Sequence, residues 1–304
     1  MMTRPLSTAP EPLGRISEHV PWLDAMVMPS LIVLAIVVGY PVVYTFLLSA
    51  QDYNLLGTEP ARFVGTANYR KLFADPTFRQ ALLNTAVYTF GSVAVSALLG
   101  LALALLTENL AGRRGRLARA LLLTPWAVPF VVVAFLFRYM YLQNGGAINA
   151  VLLAAGVIAA PISWLNVSTL AMPAVMATNI WAMTPFFFLI LSAALAGIPT
   201  EVIESARVDR ARAFSMTVRI KLPFLRNTLL VSSLLMIIAN FNDFAKIWAL
   251  TQGGPGYSTT TLVVYVYRQA FENFAIGYAS AIGVVWLLLL LAFAIAYLRA
   301  ARIR

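Results

Sequence analysis

Two polar groups stand out against an otherwise apolar chain. The first is Asn240, Asn242, Asp243 and Lys246, set within an apolar block at 227–250. At helical spacing Met236, Asn240, Asp243 and Ile247 fall on one face. A carboxylate and an amide one turn apart accept from and donate to hydroxyl groups, the chemistry of polyol recognition, and polar groups inside a membrane span face an interior. Asp243 and Lys246 are also i,i+3 partners, so a self-paired charge couple explains the same residues. The second group is the charged, helix-prone island at 198–223, IPTEVIESARVDRARAFSMTVRIKLP, between two apolar segments. Two readings fit it: an amphipathic surface element whose basic residues meet anionic lipid, or a docking element for a cytoplasmic partner. With no cysteine and one histidine, His19 in the polar N-terminal stretch, disulfides, thiolate or histidine metal centres and thiol catalysis are excluded. No catalytic constellation, metal site or cofactor motif is found.

The elements that must position these groups are membrane spans. Hydrophobic residues make up 61% of the 304 and charged residues 11%, against about 25% charged in soluble domains; mean hydropathy is +0.80. Six apolar blocks, at 25–50, 82–107, 117–142, 168–197, 227–250 and 276–298, are each long enough for a helix across the bilayer. Continuous apolar runs exclude alternating barrel strands. The expected fold class is an all-α polytopic membrane protein of six transmembrane helices.

Orientation follows from Lys and Arg. Of the 22, fifteen fall on the side of both termini and of the second and fourth loops, five fall opposite, and Arg138 and Lys246 lie within spans. Basic excess marks the cytoplasmic side, so both termini and the island face the cytoplasm. The net charge of +10 is therefore topological. No basic cluster interleaved with aromatics indicates nucleic acid. Residues 1–24 do not resemble a cleaved signal, and the first span is expected to stay as an anchor.

Outside, residues 51–81 read as an ordered cap with short interfacial helices. The uncharged stretch 143–167 holds a 13-residue apolar run at 148–160, short for a span and expected to be re-entrant or interfacial. TQGGPGYSTT, at 251–260, is a turn cluster. Arg138 either snorkels to headgroups or faces a cavity. Trp126, Trp181 and Trp286 read as packing or interface residues. In the island, Pro199 suits a first helical turn, Thr200 can cap with Glu201 and Glu204 following, Ile203, Glu204, Ala206, Val208 and Ala211 are expected along one helix, and Pro223 is expected to break the chain before the next span.

The island resembles the EAA loop of bacterial ABC importer permeases, E-A-A-x-x-D-G-A and then I-x-L-P. Here it reads Glu204-Ser205-Ala206-Arg207-Val208-Asp209-Arg210-Ala211, followed by Ile220-Lys221-Leu222-Pro223. Leu250-Thr251-Gln252-Gly253-Gly254-Pro255 is similar to the L-T-x-G-G-P turn of the carbohydrate-uptake, MalF/UgpA-like branch. Phe63-Val64-Gly65-Thr66-Ala67-Asn68-Tyr69 resembles its F-x-G-x-x-N-Y signature. The resemblance covers about residues 25–300.

The resemblance implies a type I importer (MetI-like) permease fold in the cytoplasmic membrane. It divides the chain into a cytoplasmic tail at 1–24, the first span and outer loop at 25–80, a core at 81–300 and a tail at 301–304. It also implies a second homologous permease subunit, two ATP-binding subunits, an extracytoplasmic substrate-binding protein and a sugar or polyol moved by alternating access. Glu204, Ser205, Ala206, Asp209, Arg210 and Ala211 would couple to the ATPase. By alignment of ANFND and WAMTPF, Met183, Phe186, Met236, Ala239, Asn240 and Asp243 would line the substrate path. With no G-x-x-x-x-G-K-[ST] loop, ATP hydrolysis is assigned to a separate subunit and the chain is not expected to be an enzyme. Arg210 stands where the family has glycine, which would allow a left-handed turn. The competing class, an ion-coupled secondary transporter, calls for repeat halves and coupling carboxylates, whereas only Asp243 is acidic deep within a span.

Overall fold

The computed structural model describes residues 21–57, 60–110 and 112–301, with side chains from Val27 onward; His19 and Arg4, Arg15, Arg302 and Arg304 lie outside them. Among the described residues five apolar helices are long enough to cross a bilayer: Val27–Ser49, Pro76–Thr107, Ser168–Ala196, Ala213–Phe241 and Ile276–Ala301. A bent pair, Gly112–Ala127 with Phe130–Met140, makes a sixth if it is counted as one span. The chain divides into two compact units, Met1–Tyr44 and Thr45–Arg304. In the first, every side chain from Val27 to Val38 is exposed, and Tyr40 and Tyr44 stack one turn apart.

In the second unit, Pro76–Thr107 and Ser168–Ala196 pack closely. A Cβ on Gly100 would lie 2.4 Å from Cβ of Phe187 and 2.8 Å from the backbone nitrogen of Phe188, so only glycine permits that approach. Toward the cytoplasm these helices share a core of Val93, Ala104, Phe187, Phe188, Leu191 and Leu225. A second core joins Tyr88, Val133, Phe137 and Val175 to Ile247 and Leu250. A third sets Leu72, Phe78 and Phe241 against Leu262, Tyr265 and Ile282.

Three expectations for the spans need correction. The third is not one straight helix over 117–142. Gly112–Ala127 meets Phe130–Met140 at 94°, because Pro125 and Pro129 interrupt the ladder and Pro129 is extended (φ −56°, ψ 134°). The four arginines of Gly112–Leu123 make that arm unsuited to hydrocarbon. The fifth span begins earlier than 227 and ends at Phe241; Asn242–Phe244 break it, and Ala245–Thr251 resumes as a separate short helix. Pro223 does not break the chain. Thr217–Lys221 form a wide turn in which the amide of Leu222 donates to the carbonyl of Thr217, and the extra residue makes room for a proline ring that would clash in a regular helix.

Outside, the expected cap is a two-residue antiparallel pairing, Gln51–Asp52 with Arg62–Phe63, and one helix, Ala67–Ala74. Asn68 Nδ2 donates to the carbonyls of Ser49 (2.9 Å) and Gln51 (2.8 Å), and the Tyr69 hydroxyl pairs with Ser49 Oγ at 2.6 Å. The F-x-G-x-x-N-Y residues thus tie the cap to the first span's outer end. The 148–160 run is an eight-residue helix, Ala147–Ala154, too short to cross. Buried Asn149 donates to the carbonyls of Gln143 (3.0 Å) and Ile162 (2.8 Å), and its Oδ1 accepts from Trp164 Nε1 (3.0 Å).

Asp75 caps Pro76–Thr107. Its Oδ1 accepts from the amide of Thr77 (2.8 Å), and Oδ2 accepts from the hydroxyls of Tyr265 and Tyr278. Burial works against its charge, but the two phenols and the backbone amides outweigh it and hold the carboxyl below its usual value. Burial and the same carboxylate push the Tyr265 hydroxyl up. A depressed folded-state value means this stabilisation is complete above the unfolded carboxyl's titration near pH ~4 and is lost as pH falls through the folded value. Asp75→Ala removes a cap and leaves two phenols without their acceptor; thermal unfolding in detergent at neutral pH should show a loss of about 2 kcal/mol. That deficit should shrink as the wild type is acidified.

Candidate functional site

The island folds as the helix Thr200–Val208, a tight stop, and a second helix opening at Ala213. Pro199 occupies the cap position and Thr200 is the first helical residue, with no side-chain cap bond; the expected Thr200 cap does not form. Ala211 lies beyond the helix, not along it. Asp209 closes the helix, and Arg210 adopts φ +54°. The amide of Ala211 donates to the carbonyl of Ala206 and that of Arg210 to the carbonyl of Arg207, both at 3.0 Å. This is a Schellman stop: the left-handed residue is Arg210, and Ala206 and Ala211 are its small contact pair. The E-A-A-x-x-D-G-A spacing therefore spells a helix with its own terminator. Arg210 keeps the bend a glycine would make, at a cost of about 1–2 kcal/mol.

The short helix presents two faces. Ile203, Arg207 and Ala211 line a cytoplasmic-side cavity of about 890 Å³, and Ala206 is buried. Glu204, Ser205, Val208, Asp209 and Arg210 are exposed. Val208 and, across the stop, Phe214 are each 81% exposed, two large apolar side chains left uncovered by the described residues. Behind the helix, Lys221 forms an ion pair with Glu108, at the inner end of Pro76–Thr107.

The residues expected on the substrate path fall into four settings. Phe186 and Met236 pack on the cytoplasmic-side core, and Met183 is buried. Ala239 is exposed. Asn240 is buried and accepts from Asn179 Nδ2 at 3.2 Å, across the fourth and fifth spans; Asn240 Nδ2 and Asn179 Oδ1 are buried with no partner. Asp243 lies past the helix end, so it does not share a continuous helical face with Met236 and Asn240. It pairs with Lys246 Nζ at 2.8 Å and accepts from the Tyr88 hydroxyl. Lys246, 2% exposed, also sits 4.4 Å from the centre of the Phe130 ring. Asn179 and Tyr88 did not figure in the sequence reading. Their signal was a lone amide and a lone phenol in apolar blocks, which carries little weight until a partner across the bundle is known.

Arg138 follows the cavity alternative. Its Nη1 donates to the carbonyl of Ala249 (3.3 Å), and it lines an outer cavity of about 310 Å³ with Gln143, Asn166 and Gln252. The turn 251–260 closes this cavity. Thr259 Oγ1 donates to Gly254 O and Thr260 Oγ1 to Gly253 O, each at 2.8 Å, and Asn84 Nδ2 donates to the carbonyls of Tyr257 and Thr260 at 2.9 Å.

Residues 96–304 match the model of a family described as binding-protein-dependent transport system inner membrane component. The chain is 35% identical over 281 residues to a trehalose/maltose transport system permease protein of Thermococcus litoralis, covering 92% of this chain and 93% of that one. It is 32% identical over 289 residues to a sulfoquinovosyl glycerol transport system permease protein of Agrobacterium fabrum, covering 92% and 93%. A bacterial alginate ABC transporter, solved with an alginate pentasaccharide-bound periplasmic protein, has a chain of similar fold: TM-score 0.81, 22% identity, covering 92% of this chain and 94% of that one.

Two expectations follow from the geometry. Asp243→Ala leaves Lys246 charged and buried, and should lower the stability of the folded bundle by about 3–5 kcal/mol, while Asp243→Leu with Lys246→Met should recover most of it; thermal denaturation in detergent distinguishes them. Arg210→Gly relieves the left-handed conformation and should raise stability by about 1 kcal/mol in the same assay.

Proposed function

The chain belongs to the family of binding-protein-dependent transport system inner membrane components, and we propose that it is the permease subunit through which an ATP-driven importer brings a carbohydrate or related polyol into the cytoplasm. The carbohydrate reading is supported by the relatives named for trehalose/maltose and sulfoquinovosyl glycerol. It is not an enzyme: family members of this kind are the membrane path, and hydrolysis belongs to a separate subunit. The chain is a multi-pass component of the cytoplasmic membrane.

One observation carries the coupling role: a short helix with its own stop, held between two spans on the basic side, showing Glu204, Val208 and Phe214 outward. A rigid peg with an apolar tip and a placed carboxylate suits a cleft in a partner ATPase. Glu204, Ser205, Asp209 and Arg210 make the contact; Ala206 and Ala211 hold the peg's shape. Its inner face joins the spans, through Ile203 and through the segment carrying Lys221 to Glu108. Closure of two ATP-binding subunits would push the peg and rock the spans against those of a second, homologous permease. A binding protein outside would deliver the substrate.

The substrate path runs along the fifth span. Asn240 and Asn179 carry a buried donor and acceptor free to engage hydroxyls, Met183, Phe186 and Met236 offer apolar walls, and Ala239 leaves space. Asp243, held by Lys246 and Tyr88, fixes the helix break just beyond them.

Glu204→Lys should keep membrane insertion and assembly but uncouple ATP hydrolysis from uptake in proteoliposomes containing all subunits; wild-type uptake would refute the peg. Asn240→Ala should lower transport while leaving copurification of the ATPase unchanged, read by radiolabelled sugar uptake against pull-down.

A further inference from the structure

The 890 Å³ cavity behind the short helix has a chemistry that docking does not use. It lies where three spans end, bordered by Thr107, Ala196 and Ala213, which is the level of the inner-leaflet headgroups. Its polar lining contains Arg119, Arg207, Lys221 and one carboxylate, Glu108. Glu108 is taken by Lys221. Arg119 and Arg207, both exposed at the cavity mouth, have no ion-pair partner among the described residues, so their guanidinium groups are available to an anion. Ser192 lines the same cavity, and its buried hydroxyl has no hydrogen-bond partner. Part of the lining is apolar, with Leu105, Leu189 and Ile198. Two planar, phosphate-matched cations, a spare hydroxyl and a greasy wall at headgroup depth form a receptor for an anionic amphiphile.

We propose that this cavity holds the phosphate of an inner-leaflet anionic phospholipid, gripped by Arg119 and Arg207, with its chain against the apolar wall. A free phosphate shares the headgroup chemistry but leaves that wall uncovered, so the lipid is the better occupant. Arg119 comes from the arm that turns 94° out of the third span, and Arg207 from the short helix. The lipid therefore bridges two elements that share no ion pair among the described residues.

The test uses the complete transporter with its partner subunits in nanodiscs of phosphatidylcholine carrying a photoactivatable phosphatidylglycerol. Crosslinks mapped by mass spectrometry should fall on the 104–109 and 189–198 segments. Arg119→Gln and Arg207→Gln should each lower that labelling about fivefold, whereas Arg119→Lys with Arg207→Lys should retain most of it, which separates charge from folding. Arg113→Gln with Arg114→Gln, on the same arm but outside the cavity, should leave it unchanged. Equal labelling by photoactivatable phosphatidylcholine, or an equal fall in the Arg113/Arg114 variant, would overturn the site. Full competition by inorganic phosphate would overturn the lipid as its occupant. None of these readings depends on transport or on the coupling role of Glu204.

Discussion

Hydrocarbon provides no hydrogen bonds, and the architecture follows from that constraint. A straight helix satisfies its own backbone, but this bundle is broken at 124–129 and at 242–244, and each break needs something in place of the missing ladder. At the second, Asp243 and Lys246 pair across the gap while Tyr88 reaches from the second span. The turn after it is closed by its own threonines and by Asn84. The buried polar residues are thus the counterpart of the irregular backbone.

The same economy shapes the cytoplasmic loop. A short helix between two spans must terminate itself, because the spans already fix both ends. The small residues at 206 and 211 close a Schellman stop that turns the chain within a few residues. Arg210 fills the left-handed position, which costs strain but places another charge on the exposed rim. The two faces of the helix then divide the labour: Ile203 and Arg207 look toward the membrane, Glu204 and Val208 away from it.

Asp243 shows how one residue can fit two accounts. As an isolated carboxylate it would be a ready acceptor for sugar hydroxyls. Paired with Lys246 and Tyr88, it is a fixed charge, and the free hydrogen-bonding capacity passes to Asn240 and Asn179. In a medium of low dielectric a buried carboxylate is stabilised by the nearest cation first, and the separation of Asp243 and Lys246 along the chain already allowed that pairing.

The amino-acid sequence alone determined the solvent this chain lives in, the sidedness of its crossings and the place of its charged loop, because hydropathy, arginine distribution and a local spacing motif act over short stretches of chain. Tertiary structure alone decided the 94° turn of the third span, the early start and early end of the fifth, the uninterrupted passage through Pro223, and the partners of Asp243 and Asn240. The backbone outcomes depend on the local turn geometry around Pro125, Pro129 and Pro223, and the polar partners on what lies across the bundle. Whether a buried polar group is free or engaged is set by neighbours distant in sequence, such as Tyr88 and Asn179, whose partners are not legible until the helices pack.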